Sequence, residues 1–292
     1  MSRRRYNHRP RLGTPAALFP MAQTLSEIKQ LLAGHGLRPK HKFGQNFLHD
    51  GNHMRRIMDA ADIGQGDLVL EVGPGTGALT ERLLEVGADV VAVEIDADMQ
   101  AVLSDRLGSD AVRFTLIVGD VLAGKHTVSP AVVEALAGRP FKLIANLPYN
   151  VASPLLANLV VDHPAMSDAV VMIQKEVAGR LTAAPGGKDY GPLGILIQAL
   201  CEVRTVGVLP PSCFWPAPKV ASAVVHLERR AEPMTDDPAA LSATLQKLFT
   251  KRRKQLGSIL GRDIVWPEGI DADARPESLA VEQLIALSKA RA

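Results

Sequence analysis

The sequence predicts an α/β fold, in which a mostly parallel sheet carries helices on both faces and is followed by a small helical domain. Three observations lead there. Short β-branched runs alternate with amphipathic helical segments from about residue 53. A glycine turn, Gly73-Pro74-Gly75-Thr76-Gly77, separates the first such run from the helical segment after it. After Arg230 the β-branched runs stop and only helical patterns follow.

The elements follow in chain order. Ser26 to Leu32 has helical spacing. Strands are expected at Leu68–Val72, Val90–Glu94, Arg113–Val118, Phe141–Ala145 and Ala169–Ile173. The segments between them, such as Leu79–Val86 and Met99–Leu107, are amphipathic, and strand–helix–strand at this spacing gives parallel pairing. Two more strands, Val203–Leu209 and Ser222–Leu227, are joined by a Pro-rich link too short for a crossover helix. They are expected as an antiparallel pair at the sheet edge. Pro233 to Pro238 is a linker. Helices are expected at Ala239–Phe249, Lys251–Leu260 and Glu277–Lys289. The expected organisation is a basic, disordered tail at 1–22, an α/β domain at 23–232 and a helical domain at 233–292.

Composition bounds the function. With 292 residues, 47% of them apolar and 22% charged, the chain has ample material for a core. The two cysteines, Cys201 and Cys213, show no metal-type spacing and no disulfide framework, and the histidines show no ligand spacing. No metal is therefore expected, and a reducing cytoplasm fits. No apolar run approaches the length of a membrane span. The net charge is only +2, yet residues 1–42 hold nine Lys and Arg against one acid, Glu27. A second basic cluster comprises Lys247, Lys251, Arg252, Arg253, Lys254 and Arg262. Basic patches at both ends of the chain suit a polyanion partner, although charge alone fits a solvated surface equally well. The first twenty residues are Arg-rich and free of acids. That composition also suits a transit peptide, and Met21 offers an alternative start.

The glycine turn has the spacing G-x-G-x-G, shorter than the dinucleotide fingerprint. This spacing resembles the loop of S-adenosylmethionine enzymes, which wraps a nucleoside and binds no phosphate. Glu94 ends the second strand, 21 residues beyond Gly73, where an acid can accept from ribose hydroxyls. Asp120 follows the third strand and can accept from an adenine amine. The fourth strand delivers Asn146. Four successive strands thus end in ligand-type residues at the carboxyl edge, where open parallel sheets bind ligands.

Asn146-Leu147-Pro148-Tyr149 is the most informative tetrapeptide. The lone pair of an exocyclic base amine is delocalised into the ring, so methylating it requires acceptors that draw the nitrogen toward a tetrahedral shape. Asn146 offers such an acceptor. Pro148 stiffens the turn and has no N–H to compete. Tyr149 offers a stacking face. Taken alone, the four letters are equally a polar turn after a buried strand.

Together these motifs resemble the ribosomal RNA adenine N6,N6-dimethyltransferase family over most of residues 38–262. The segments that carry the resemblance are Lys42-Phe43-Gly44-Gln45-Asn46-Phe47-Leu48, the glycine loop, Glu94, Asp120, the catalytic turn, Gln174 to Leu181, Phe214 to Ala223, and Phe249 to Lys254. Residues 1–22 and the last thirty match little or loosely. The resemblance implies a Rossmann-like S-adenosylmethionine-dependent methyltransferase sheet. It implies cofactor contacts from Asn46, Leu48, Gly73, Gly75, Glu94, Asp120 and Asn146. It implies catalysis by Asn146, Leu147, Pro148 and Tyr149, with Phe214 stacking the second face of a flipped base in preference to its neighbour Trp215. Lys251, Arg252, Arg253 and Lys254 are expected on RNA phosphates. The implied substrate is a pair of adjacent adenosines in 16S rRNA of a pre-30S subunit, and the enzyme is expected to act as a monomer. Two alternatives stand beside this. One is a macrolide-resistance methyltransferase of large-subunit RNA, against which Leu147 and the basic cluster weigh. The other is a non-catalytic nucleic-acid-binding factor on the same scaffold, against which the intact cofactor motifs weigh.

Overall fold

The structure is a computed structural model that describes residues 22–124, 127–262 and 264–290, without the side chains of 109–111. The expected tail lies outside the described residues except for Ala22. The chain opens with α1 (Leu25–Gly34), whose start is set by a capping box: Thr24 accepts from the Glu27 N–H, and the Glu27 carboxylate accepts from the Thr24 N–H. A two-residue strand, β1 (Phe47–Leu48), and α2 (Gly51–Ala61) precede the sheet. Alternation then follows: β2 (Leu68–Val72), α3 (Ala78–Glu85), β3 (Asp89–Glu94), α4 (Met99–Leu107), β4 (Phe114–Val118), α5 (Pro130–Leu136), β5 (Phe141–Asn146), α6 (Tyr149–Asp162) and β6 (Met166–Gln174). Next come α7 (Lys175–Leu181), α8 (Pro192–Leu200), β7 (Cys201–Leu209), β8 (Phe214–Trp215) and β9 (Ser222–Arg229). The chain closes with α9 (Pro238–Phe249), α10 (Leu256–Leu260) and α11 (Val281–Lys289).

The seven-stranded sheet has the order β4-β3-β2-β5-β6-β9-β7. Pairing is parallel from β4 to β6 and antiparallel where β9 meets β6 and β7. Every residue of β2 is buried, as befits a central strand covered on both faces, whereas the edge strand β7 alternates with exposed positions. The expected strands therefore all form, and the edge pair is antiparallel as read from the short link. The order reverses between β2 and β5. The crevice at the carboxyl ends of β2, β3 and β5 lies at this switch point.

Three features differ from expectation. The β1–β8 ribbon, Phe47↔Trp215 and Leu48↔Phe214, has too few residues to show a periodicity. Lys251–Leu260 is not one helix. α9 ends at Phe249, and Lys251, Arg252 and Lys254 donate only to carbonyls three residues back. Like charges at helical spacing repel, which favours this unwinding. The last helix starts at Val281, because Pro276–Ser278 forms a 3-10 turn and the Gln283 side chain caps the Ala280 N–H.

The helical segment after residue 232 does not close on its own apolar face. Leu241, Leu245, Leu248, Leu284 and Leu287 belong to the same buried cluster as Leu70 and Leu143 of the sheet. Tyr190 joins the two parts: its hydroxyl donates to the Leu279 carbonyl at 2.9 Å, and its ring meets Phe249 edge-on at 6.3 Å. No helix among the described residues is long and apolar enough to cross a membrane.

Candidate active site

The glycine loop turns because Gly73, Gly75 and Gly77 all sit at positive φ, at 73°, 55° and 78°. Gly75 has a second constraint, since a Cβ there would come 2.9 Å from Phe47 Cε1. The loop is tied to the next strand by Glu94, whose carboxylate accepts from the Gly75 N–H at 3.2 Å and from the Asp96 N–H at 2.9 Å. Glu94 is only 4% exposed, and burial pushes its carboxyl above the usual range against these hydrogen bonds. Beneath it lies Glu71, wholly buried, with its Oε2 unpartnered. Burial, opposed by Thr80 and reinforced by the nearby Glu94, pushes Glu71 up to about 8. Glu71 lines the cleft and carried no role in the sequence reading. Its signal was there: a lone acid in a strand that is otherwise wholly apolar.

A strap formed by residues 40–48 lies over the loop. Lys40 Nζ pairs with Asp96 Oδ1 at 2.6 Å and with the Asp98 carboxylate. Gln45 Nε2 donates to Asp96 Oδ2 at 2.8 Å, and its Oε1 accepts from the Lys40 N–H at 2.8 Å. Burial alone would raise the Asp96 carboxyl, but the Lys40, Gln45 and Asp98 hydrogen bonds together hold it below its usual value. Further along, Asn146 Nδ2 donates to the Asn46 carbonyl at 3.0 Å, while the Asn46 side chain turns back to the Gly44 carbonyl. The strap is thus clipped to the ends of both β3 and β5.

Hydrogen bonds hold the turn at 146–149. The Leu147 N–H donates to the Met172 carbonyl at 3.1 Å, and its side chain is 1% exposed. The Pro148 carbonyl accepts from the Val151 and Ala152 N–H groups in the first turn of α6. The Tyr149 hydroxyl is 2.9 Å from Ser222 Oγ, which fixes the ring against β9. With its Nδ2 held by the strap, the Asn146 side chain lines the cleft.

Asn46, Leu48, Gly73, Gly75, Glu94, Asp120, Asn146, Leu147, Pro148 and Tyr149 all line one open cleft. Asp120 is exposed, and its Oδ1 caps the Leu122 N–H. Phe214 does not join them. It is 4% exposed and packs with Leu48, Met54 and Ile57, because the ribbon register sets it directly opposite Leu48. Trp215 is not at the cleft either. It packs beside Ile28, Leu32 and Phe47, with Lys29 Nζ 5.4 Å from its ring centre.

Residues 36–290 match the family model described as ribosomal RNA adenine dimethylase. The chain belongs to that family. Two relatives, each named ribosomal RNA small subunit methyltransferase A, come from Phenylobacterium zucineum and Cutibacterium acnes. The first is 42% identical, with 92% of this chain and 93% of the relative covered. The second is 39% identical, at 91% and 93% coverage. Among solved structures, a dimethyladenosine transferase from Plasmodium falciparum aligns with a TM-score of 0.68 at 27% identity, covering 82% of this chain and 95% of that one. The 23S rRNA methyltransferase ErmE aligns at 0.63 and 25% identity, covering 84% and 99%.

In this dimethylase the basic residues do not act alike. Arg252 is committed within the fold: its guanidinium pairs with Glu277 at 2.7 Å and donates to the Lys188 carbonyl at 3.1 Å. Lys251, Arg253 and Lys254 are exposed on the turn after α9. Of the four, only these three are exposed.

Proposed function

We propose that the chain transfers methyl groups from S-adenosylmethionine to N6 of two adjacent adenosines in the 3′-terminal hairpin loop of 16S rRNA, acting on a pre-30S subunit in the cytoplasm as a monomer. The observation that carries this reading is the Asn146 side chain, which lines the cleft beside the glycine loop and is held there by the bond from its Nδ2 to the Asn46 carbonyl.

The residues present suit the cofactor. The loop at Gly73 and Gly75 admits a ligand against bare backbone, Glu94 offers carboxylate lone pairs to ribose hydroxyls, and Asp120 offers an acceptor to an adenine amine. Asn46 and Leu48 close the cleft from the strap. S-adenosylmethionine supplies an activated methyl group on its sulfonium. The chain positions the acceptor. Asn146 Oδ1 and the Leu147 carbonyl accept from the adenine N6 and direct its lone pair, and Pro148 keeps the turn stiff and donor-free. The amine proton is lost to solvent. Tyr149, fixed by Ser222, supplies the stacking face, worth roughly 1–3 kcal/mol against the cost of flipping the base. Phe214 acts from behind by holding Leu48. Lys251, Arg253 and Lys254 contact RNA phosphates, with residues 233–292 forming the helical RNA-binding part and Arg252 bracing its turn.

The small-subunit names of the two relatives support this choice over large-subunit RNA. The test is incubation with labelled S-adenosylmethionine and under-methylated small subunits or large subunits, followed by mapping of the label. Label on two adjacent adenosines of small-subunit RNA is expected. Label only on large-subunit RNA would overturn the reading.

A further inference from the structure

Outside the cleft, three side chains of ligand-forming chemistry converge where the β1–β8 ribbon meets the start of α2. Asp50 caps α2, and its Oδ1 accepts from the Asn52 and His53 N–H groups, each at 3.0 Å. The same oxygen lies 3.0 Å from His53 Nδ1. The other oxygen, Oδ2, lies 3.8 Å from Cys213 Sγ, and that sulfur lies 3.7 Å from His53 Nδ1. One ligand atom from each residue lies within 4.8 Å of the others. Cys213 is brought there from 160 residues away. It is held by backbone, since the His49 N–H donates to the Cys213 carbonyl at 3.0 Å and Leu48 pairs with Phe214. The cysteine and the histidine lie 160 positions apart, so spacing along the chain does not show the cluster.

A Cys–His–Asp group can be a nucleophile relay, but a relay needs the two ring nitrogens on opposite partners. Here the same nitrogen, Nδ1, faces both the carboxylate and the sulfur. It carries at most one proton, so it cannot donate to Asp50 and accept from Cys213 together. Three donors of different residues gathered within 4.8 Å of one another suit a cation instead. Around tetrahedral zinc, with bonds of about 2.3 Å to sulfur and about 2.0–2.1 Å to nitrogen, those two atoms sit about 3.5–3.6 Å apart. The observed sulfur–nitrogen separation is 3.7 Å, and the carboxylate reaches the nitrogen through Oδ1 at 3.0 Å and the sulfur through Oδ2 at 3.8 Å.

We propose that Asp50, His53 and Cys213 bind one zinc-type divalent cation. A thiolate and an imidazole select a borderline-soft ion over magnesium or calcium. The thiol gives its proton to solvent as the sulfur takes the metal. The Asp50 and His53 side chains are 32% and 15% exposed, which leaves a side for water as fourth ligand. None of the three lines the cleft. The bound ion ties α2 to the ribbon that carries Leu48, without entering the catalytic turn.

The test uses the full chain and Co²⁺ or Zn²⁺ alone. Titration with Co²⁺ is expected to produce a near-ultraviolet thiolate-to-cobalt absorption that saturates at one equivalent, and Zn²⁺ is expected to raise the melting temperature. Cys213→Ser removes the absorption, Cys201→Ser keeps it, and His53→Asn weakens binding at least tenfold. Circular dichroism of each variant confirms that it is folded. Should Cys213→Ser fail to fold, the His53→Asn titration decides the matter. No thiolate band, a band that survives Cys213→Ser in a folded protein, or unchanged affinity in His53→Asn would reduce the cluster to a helix cap and overturn the site.

Discussion

Asn146 carries the most consequence per atom. Its Nδ2 holds the strap through the Asn46 carbonyl, and in the proposed reaction its Oδ1 accepts from the substrate amine. Asn146→Ala is expected to abolish methyl transfer while weakening cofactor binding only a few-fold, read by turnover and by calorimetry with S-adenosylmethionine. Retained transfer would sink the assignment. Glu71 makes a different prediction. Its folded pKa of about 8 lies above the usual carboxylate value, so the folded state holds a proton that the unfolded state releases above about pH 4.5. Stability is therefore lost as pH rises from there toward 8, at up to about 1.4 kcal/mol per pH unit. Glu71→Gln keeps the shape and removes the ionisation. Its melting temperature is expected to exceed that of the parent at pH 8 and to approach it at pH 5. Glu94 and Asn146 were legible in the sequence because a polar residue ending an apolar strand marks itself. Phe214 was misplaced because adjacent residues on a two-residue strand point to opposite sides, and only the ribbon register says which side is core.

The strap is the element that the sequence showed least clearly. Lys40 was counted only among the basic residues of positions 1–42, yet with Gln45 it latches onto Asp96, two residues past Glu94. Lys40→Ala is expected to raise the KM for S-adenosylmethionine several-fold with kcat little changed at saturation, since it closes the cleft without touching the acceptor. A large fall in kcat at saturating cofactor would contradict the latch. The basic turn after α9 separates in the same way. Lys251→Ala with Lys254→Ala should weaken RNA binding and shallow its salt dependence, by about 0.7–0.9 in log–log slope per lost phosphate contact, at unchanged melting temperature. Arg252→Ala should instead lower the melting temperature, because it strands Glu277.

Across the whole molecule the two chemically distinct parts share a core. Leu245 of α9 is fully buried in the cluster that contains sheet residues, so Leu245→Ala is expected to cost about 2–5 kcal/mol. Circular dichroism should show that loss in a single unfolding transition. Separate transitions for the sheet and the C-terminal helices would contradict a shared core. The packing of α8 on α7 is equally unforgiving, since a Cβ at Gly194 would fall 2.1 Å from the Arg180 carbonyl oxygen.

Periodicity and strand-end chemistry by themselves determined the sheet, its parallel and antiparallel parts, and the cleft at its carboxyl edge. These are local properties: side-chain alternation, glycines that permit positive φ, and a polar residue that stops an apolar run. Tertiary structure alone decided which aromatic is core, which arginine is committed within the fold, that Lys40 and Asp96 meet, and that Cys213 lies beside His53 and Asp50. Each of those joins residues between 25 and 166 positions apart in the chain. Such meetings depend on how strands pair and helices pack, and no spacing along the chain encodes them.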